Sequence, residues 1–422
     1  MNISDPSQET QLMERCVERE NMLKAWKRVK QNGGSPGVDG LSVEETGKYL
    51  AEHWPRVKQE LLNGSYRPKP VRKVEIEKSD GGMRQLGIPC VLDRLIQQCI
   101  LQVLQPQWDS TFHPHSYGFR PGRSAHQAVC QAQKYIQEGR RWCADVDLAK
   151  FFDLVNHDIL MDRMVKRVKD VRFVKLIRRY LQAGVMDQGV VIERYEGTPQ
   201  GGPLSPLLCN LLLNEVDWEL ERRGIAFVRY ADDCNAYFRS KRAATDAMLT
   251  LEKLFGKLKL KINHEKSAAG YVGNRKFLGY RFWIAPGKIV KRAVALQALN
   301  KFKDRIRALT SRTGGKSLEQ VVEKLELYLF GWKNYFQLAD TPLKFSELDS
   351  WIRRRLRMIL LKHWKRGKTC YRELMARGLS SRVAASIASV QRGYWRMAGT
   401  SGMNIAFPNA FFDDLGLSRL KA

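Results

Sequence analysis

The stretch Phe227-Val228-Arg229-Tyr230-Ala231-Asp232-Asp233-Cys234-Asn235-Ala236-Tyr237-Phe238 sets two short apolar and aromatic runs on either side of two adjacent carboxylates. Runs of this kind predict a β-hairpin with the acids at its turn. Folding alone would favour Asn-Gly or Asp-Gly there, not two like charges. Adjacent aspartates repel unless solvent or a cation screens them, and a divalent metal is the natural partner. A solvated acidic turn is the ordinary reading of an isolated Asp-Asp pair. Two further features overturn it: a third aspartate on a strand-like run roughly 85 residues upstream, and the basic character of the whole chain.

Among 422 residues, 72 Lys and Arg stand against 44 Asp and Glu, a formal charge of +28. That excess predicts a polyanionic partner, nucleic acid first and an anionic membrane surface second. No run of 18 apolar residues occurs, and Met1-Asn2-Ile3-Ser4-Asp5 has neither a basic nor an apolar leader character, so a soluble, cytoplasmic protein with no membrane partner is expected. Cys16, Cys90, Cys99, Cys130, Cys143, Cys209, Cys234 and Cys370 form no Cys-x-x-Cys or Cys-x-x-His pair. Reduced, mostly buried thiols follow, and a zinc site does not.

Residues 10–30 have helical periodicity and end at Asn32-Gly33-Gly34-Ser35-Pro36-Gly37. Ser42 with Glu45 three residues on has the form of a capping box. Residues 71–78 alternate as a strand, Ser79 to Gly82 form a turn, and Met83 to Ile88 return, giving a basic hairpin. A helix is expected over 91–104, a loop over His113–Ser124 and a helix from Ala125. This alternation argues for an α/β or α+β fold over a barrel or sandwich.

The upstream acids lie in Trp142-Cys143-Ala144-Asp145-Val146-Asp147-Leu148. A strand here puts Asp145 and Asp147 on one face and Ala144, Val146 and Leu148 on the other. Alternation alone does not choose between the two aspartates. Phosphoryl transfer to a 3′-hydroxyl uses two divalent ions about 4 Å apart, and carboxylates from separate segments must converge to hold them. One strand acid plus a hairpin Asp-Asp supplies such a set.

Asp147 to Asp153, Gly197-Thr198-Pro199-Gln200-Gly201-Gly202-Pro203-Leu204-Ser205-Pro206, Tyr230-Ala231-Asp232-Asp233 and Phe277-Leu278-Gly279-Tyr280 resemble, in order, the motifs of a reverse transcriptase. Arg84-Gln85-Leu86-Gly87-Ile88-Pro89 with Asp93-Arg94, Ser116 to Ser124, and Gly331-Trp332-Lys333-Asn334-Tyr335-Phe336 narrow the resemblance. They point to a bacterial group II intron-encoded reverse transcriptase/maturase. The resemblance implies a right-hand polymerase: residues 1–60 as an N-terminal extension, 61–286 as an α/β fingers-palm domain, 287–367 as a helical thumb (maturase X domain), and 368–422 as a small helical DNA-binding domain. The length and tail resemble the compact, endonuclease-lacking IIC-like class, with nucleoid association.

By the same resemblance, Asp147 matches the first catalytic aspartate, because Phe151 and Phe152 follow it by four and five residues; Asp145 is secondary. Asp147, Asp232 and Asp233 would hold two Mg2+ ions, with Mn2+ as a substitute. Phe152 matches a steric gate under the nucleotide 2′-carbon, against ordinary core packing. Gln200 to Gly202 match the segment beside the templating base pair, where the lack of a Cβ lets nucleic acid approach. Lys78 and Arg84 match contacts to the incoming triphosphate, and Lys266 a lysine that protonates pyrophosphate. The implied partners are group II intron RNA, an RNA template with DNA primer, dNTPs and target DNA; monomer and dimer stay open. The implied function is RNA-directed DNA polymerisation together with intron binding that promotes splicing and mobility. The alternatives are a maturase with little polymerase activity, or a reverse transcriptase recruited to defence or DNA repair.

Leu318, Val321, Val322, Leu325, Leu329 and Trp332 recur at helical spacing, as do Ile352, Leu356, Ile359 and Leu360. From Arg353 to Arg377 there are ten Lys or Arg and one acid, interleaved with Trp364 and Tyr371. That density suits RNA phosphates and base stacking. Arg353, Arg354, Arg357, Lys362, Lys365 and Arg366 are the candidate contacts, with Arg353, Arg354 and Arg357 expected on the open faces of the helix.

Overall fold

The structure, a computed structural model, describes residues 11–77, 82–187, 189–312, 314–389 and 393–421. Lys78, residues Ser79 to Gly81 of the expected turn, and Gln391 and Arg392 of the C-terminal tract lie outside them. Two compact units divide the chain between Tyr271 and Val272.

In chain order the helices of the first unit are α1 (Leu12–Cys16), α2 (Arg19–Asn32), α3 (Val43–Leu62), α4 (Val91–Asp109), α5 (Ala125–Gln137), α6 (His157–Val165), α7 (Val171–Gln182), α8 (Ser205–Arg222) and α9 (Lys241–Lys257). Its strands are β1 (Val71–Glu77), β2 (Met83–Ile88), β3 (Trp142–Asp147), β4 (Val185–Asp187), β5 (Val190–Ile192), β6 (Ala226–Tyr230), β7 (Asp233–Phe238) and β8 (Ala268–Tyr271). The capping box forms as its residues predict: Ser42 Oγ accepts Glu45 N–H at 3.2 Å, and Glu45 Oε2 accepts Ser42 N–H at 2.8 Å. The single helix expected over 10–30 is broken at Val17–Glu18. There Cys16 O, orphaned at the end of α1, accepts from Asn21 Nδ2 at 2.9 Å.

Two sheets follow, in the orders β2-β1-β4-β5 and β6-β7-β3-β8. The basic hairpin pairs from Arg72↔Ile88 to Glu77↔Met83. In the second sheet α9 packs on β3, β7 and β8, while α5 packs on β6 and β7. Ala144, Val146 and Leu148 are buried in the core with Leu251, Leu254 and Phe255 of α9. That inward alternation leaves Asp145 and Asp147 on the opposite face of β3.

Asp93, in the first turn of α4, is 1 % exposed. Its Oδ1 accepts from Tyr66 Oη at 2.9 Å and Tyr180 Oη at 3.2 Å, and its Oδ2 from Lys69 N–H at 3.2 Å. Burial pushes the carboxyl up to about 6, although these hydrogen bonds pull it back. The folded state therefore binds more protons than the unfolded chain between about pH 4 and 6, and this contribution to stability falls as pH rises through that window. Its full size is about 3 kcal/mol. Urea unfolding of wild type and Asp93→Asn at pH 4.5 and 7 checks it: the variant loses this limb of the pH dependence. An equal pH dependence in both proteins would exclude Asp93 as its source.

In the second unit β9 (Lys276–Phe277), β10 (Tyr280–Ala285) and β11 (Ile289–Val294) form a sheet of order β11-β10-β9. The expected boundary at 286/287 falls in the turn between β10 and β11. Six cross-strand pairs, from Tyr280↔Val294 to Ala285↔Ile289, keep both strands in the second unit. Helices α10 (Leu296–Leu309), α11 (Leu318–Phe336) and α12 (Pro342–Trp364) follow and pack in sequence. All six apolar residues expected to line one face of α11 are buried. Shorter helices complete the unit: α13 (Gly367–Ala376), α14 (Ser381–Ala388), α15 (Tyr394–Met397), α16 (Ser401–Ala406) and α17 (Asn409–Asp414).

The basic helix α12 departs from expectation. Ile352, Leu356 and Ile359 are buried, but so are Arg353 and Arg357. Arg353 pairs with Asp349 at 3.5 Å and with Asp413 at 2.7 Å. Arg357 donates from Nε and Nη2 to Phe407 O at 2.9 and 2.7 Å, and burial beside Arg353 pushes its guanidinium down to about 10. Half-exposed Arg354 lies 4.2 Å from the Trp395 ring and donates to Trp395 O at 3.1 and 2.9 Å. Arg353 and Arg357 therefore dock the C-terminal helices on α12 and do not stand on an open face, while Arg354 stacks on Trp395 with part of its surface open. Charge density along a helix does not reveal whether a second protein layer covers it. Lys362, Lys365 and Arg366 are exposed.

All eight cysteines are free, and all but Cys130 are buried. Among the described residues no helix is long and apolar enough to cross a membrane.

Candidate catalytic site

Antiparallel register brings the acids together. Asp147, the last residue of β3, is the direct cross-strand partner of Asp233, the first residue of β7. Directly opposed residues have Cα atoms about 4.5–5.5 Å apart. Asp233 also pairs with Tyr230, so Ala231 and Asp232 alone make the β6–β7 turn. One residue back along the same face of β3, Asp145 opposes Asn235. The Asn235 amide donates to Asp233 Oδ1 at 3.0 Å and to Asp145 Oδ1 at 3.4 Å.

Desolvation pushes the Asp233 carboxyl well above its ordinary range, and the charges of Asp145, Asp232 and Asp147 push it further. Four carboxylates converging in one partly buried corner suit hard divalent cations, which take oxygen ligands and offset that crowding of negative charge. Asp147, Asp232 and Asp233 are the residues that would hold such ions.

The backbone of Asp147 is fixed from the turn after α9. Asp147 N–H donates to Ser267 Oγ at 2.9 Å, and Asp147 O accepts from Asn263 N–H at 2.9 Å. Lys266, exposed in the same turn, sits one residue before Ser267. After β3 the chain makes a short turn in which Phe151 is buried and Phe152 partly buried, their rings edge-to-face at 5.3 Å. Phe152 O accepts Thr198 N–H at 2.6 Å, which draws the segment 197–202 to the site.

Gln200 reaches the first sheet through its backbone, its carbonyl accepting Gly87 N–H at 3.0 Å. The glycines after it approach the protein's own atoms closely. A Cβ on Gly201 would lie 2.8 Å from Gly87 O, and one on Gly202 2.4 Å from Gln97 Oε1. Backbone approach and a positive φ therefore require glycine at 201, whereas at 202 the neighbour is the end of the Gln97 side chain. Arg84 stands on β2 opposite Ile76.

Asn235 and Ser267 were not singled out by the sequence reading. Asn235 was legible, since it shares a strand face with Asp233 two residues away. Ser267 was not, because only the tertiary fold brings it to Asp147.

Among the described residues, His113, His115 and Glu221 also have ligand atoms within 4.8 Å of one another. His113 Nδ1 accepts His115 N–H at 3.0 Å, which leaves the ring proton on Nε2, 3.0 Å from Glu221 Oε2. A metal on Nε2 would displace that proton while Nδ1 still faced an N–H. Hydrogen bonding accounts for this group.

Residues 76–282 match the family of reverse transcriptases (RNA-dependent DNA polymerases), and residues 299–378 the group II intron maturase-specific domain. Protein YkfC of Escherichia coli is 33 % identical over 66 % of this chain and 84 % of its own length. Group II intron-encoded protein LtrA of Lactococcus lactis is 34 % identical over 46 % of this chain, and the aligned stretch spans 32 % of LtrA. The acids joined by the β3–β7 register fall inside the first matched domain and the docked basic helix inside the second, and the chain belongs to the group II intron-encoded reverse transcriptases and maturases.

Proposed function

We propose that this chain is an RNA-directed DNA polymerase that uses two divalent ions, Mg2+ with Mn2+ as a substitute, and that it also binds intron RNA to promote splicing and mobility. One observation carries the catalytic half: the β3–β7 register converges Asp147 and Asp233, with Asp232 in the adjoining turn. Asp147, Asp232 and Asp233 would hold two divalent ions, whose chemistry would be to activate an attacking 3′-hydroxyl and neutralise the triphosphate. The chain's own groups do the rest. Asn235 fixes Asp233, Ser267 fixes the end of β3, and Phe152 excludes a 2′-hydroxyl. Arg84, Lys78, Gln200 and Lys266 serve the nucleotide, and exposed Lys362, Lys365 and Arg366 the intron RNA phosphates. Template RNA, DNA primer, dNTPs and target DNA are the remaining partners.

Extension of a DNA primer on an RNA template, with Mg2+ and dNTPs, tests this reading. Full-length cDNA is expected. Intron RNA binding and splicing without any cDNA would leave a maturase alone.

The gate has its own test. Phe152→Val opens space beneath the sugar, and ribonucleotide use rises relative to deoxynucleotide use by the equivalent of about 1–3 kcal/mol. Single-nucleotide incorporation with paired rNTP and dNTP measures the ratio. An unchanged ratio in an active variant would make Phe152 a core residue only.

A further inference from the structure

The loop from His115 to Gly118 and a polar stripe on α8 meet at Arg229, the residue two positions before the acidic turn begins its reversal. Arg229 is 1 % exposed and Asp217 0 %. Arg229 Nε donates to Asp217 Oδ1 at 2.7 Å, and Nη2 to Asp217 Oδ2 at 2.5 Å. The other donors reach Asn210 Oδ1 at 3.0 Å, Ser116 Oγ at 2.8 Å and Ala231 O at 2.9 Å. Asn210 and Asp217, seven residues apart, share one face of α8. A buried ion pair is weak evidence for stability, because desolvation offsets the attraction. Its geometry is the better guide to what it does.

The carbonyl that Arg229 holds belongs to Ala231, which is left-handed at φ 57. That is the first position of a two-residue hairpin turn, where glycine is usual because an L-residue resists the conformation. Gly118 closes on the same turn, since a Cβ there would lie 2.3 Å from Ala231 N. Asn210 Nδ2 in turn holds Gly118 O at 2.9 Å. On the outer edge of β6, Tyr117 N–H donates to Arg229 O and Arg229 N–H to His115 O, each at 2.9 Å. A strained backbone beside a functional group persists only where its surroundings over-determine it, and here they do.

We propose that Arg229, fixed by Asp217, Asn210 and Ser116, is a positioning residue: it holds Ala231 left-handed and thereby sets where Asp232 stands relative to Asp233 and Asp147. The proposal gives the Ser116–Gly118 segment a role in building the site, and it rests on the divalent-ion reading above. Loss of groups that orient metal ligands typically costs about 10–100-fold in metal affinity.

Mn2+ binding to the whole protein, followed by electron paramagnetic resonance of the free ion, tests it without turnover. Wild type binds, and Asp232→Asn binds far more weakly. Arg229→Lys and Asn210→Ala are each expected to bind about tenfold more weakly per folded molecule, with affinity for primer-template within about twofold of wild type. Should Arg229→Lys fail to fold, Asn210→Ala, which leaves the ion pair in place, decides by the same measurement. Wild-type Mn2+ affinity in folded Asn210→Ala overturns the positioning role and leaves the divalent-ion reading standing. A wild-type protein that binds no Mn2+ overturns both.

Discussion

Asp232→Asn abolishes primer extension, lowering kcat by about 10³-fold or more, while affinity for RNA stays within about twofold of wild type. A factor of that size corresponds to about 4 kcal/mol of barrier, the upper end of what one well-placed neutral donor supplies in other active sites. The reason is charge. Asn keeps the shape of the turn but removes the full negative charge that a divalent ion needs as a ligand. Asp147→Asn behaves alike, because its β3 position directly opposes Asp233. Asp145→Asn is the informative contrast. It opposes Asn235, two pairs further from the turn, and its charge acts on Asp233 mainly through space. It is expected to retain extension within about tenfold of wild type. Steady-state extension on a pre-annealed RNA–DNA substrate measures all three. Wild-type rates in Asp232→Asn would end the metal mechanism, and a larger defect in Asp145→Asn than in Asp147→Asn would reassign the ligand on β3.

Arg353→Gln destabilises the second unit by about 3 kcal/mol, the lower end of the range for breaking a buried ion pair. The lower end applies because the Asp413 side chain keeps 28 % of its exposure and can be rehydrated. Asp349 retains backbone partners, accepting Leu420 N–H at 3.0 Å and Lys421 N–H at 3.1 Å. For a unit of this size the loss lowers its melting temperature by roughly 6–12 °C, and it exposes the α13–α17 segment to limited proteolysis. The opposite set is Lys362→Gln, Lys365→Gln and Arg366→Gln. These residues are exposed, so the triple variant keeps the melting temperature but flattens the salt dependence of intron RNA binding by about two to three units. Thermal melts and RNA titrations at several salt concentrations, run on both variants, separate the docking arginines from the phosphate contacts. A flattened slope with an unchanged melt in Arg353→Gln would return Arg353 to the RNA.

The local features of this protein were legible in its sequence because they depend on neighbours a few residues away. The Ser42–Glu45 box, the β1–β2 hairpin, the inward alternation of Ala144, Val146 and Leu148, and the buried stripe of α11 all follow from a period or a cap. The hairpin around Asp232 and Asp233 was legible for the same reason, although its turn is Ala231-Asp232 and Asp233 already begins β7. Long-range pairing was not legible, because the partner of a polar group can lie anywhere in the chain. Only the tertiary structure set Asp147 opposite Asp233, brought Ser267 to the end of β3, and used Gly201 and Gly202 to admit the protein's own atoms. Asn210 and Asp217 drew no notice in the sequence, because what they hold depends on β6 lying against α8. The arginines of α12 make the same point in reverse. Their charge was plain from composition, whereas their burial was decided by the helices that fold back over them: a guanidinium pairs as well with a carboxylate or a carbonyl of its own chain as with a phosphate.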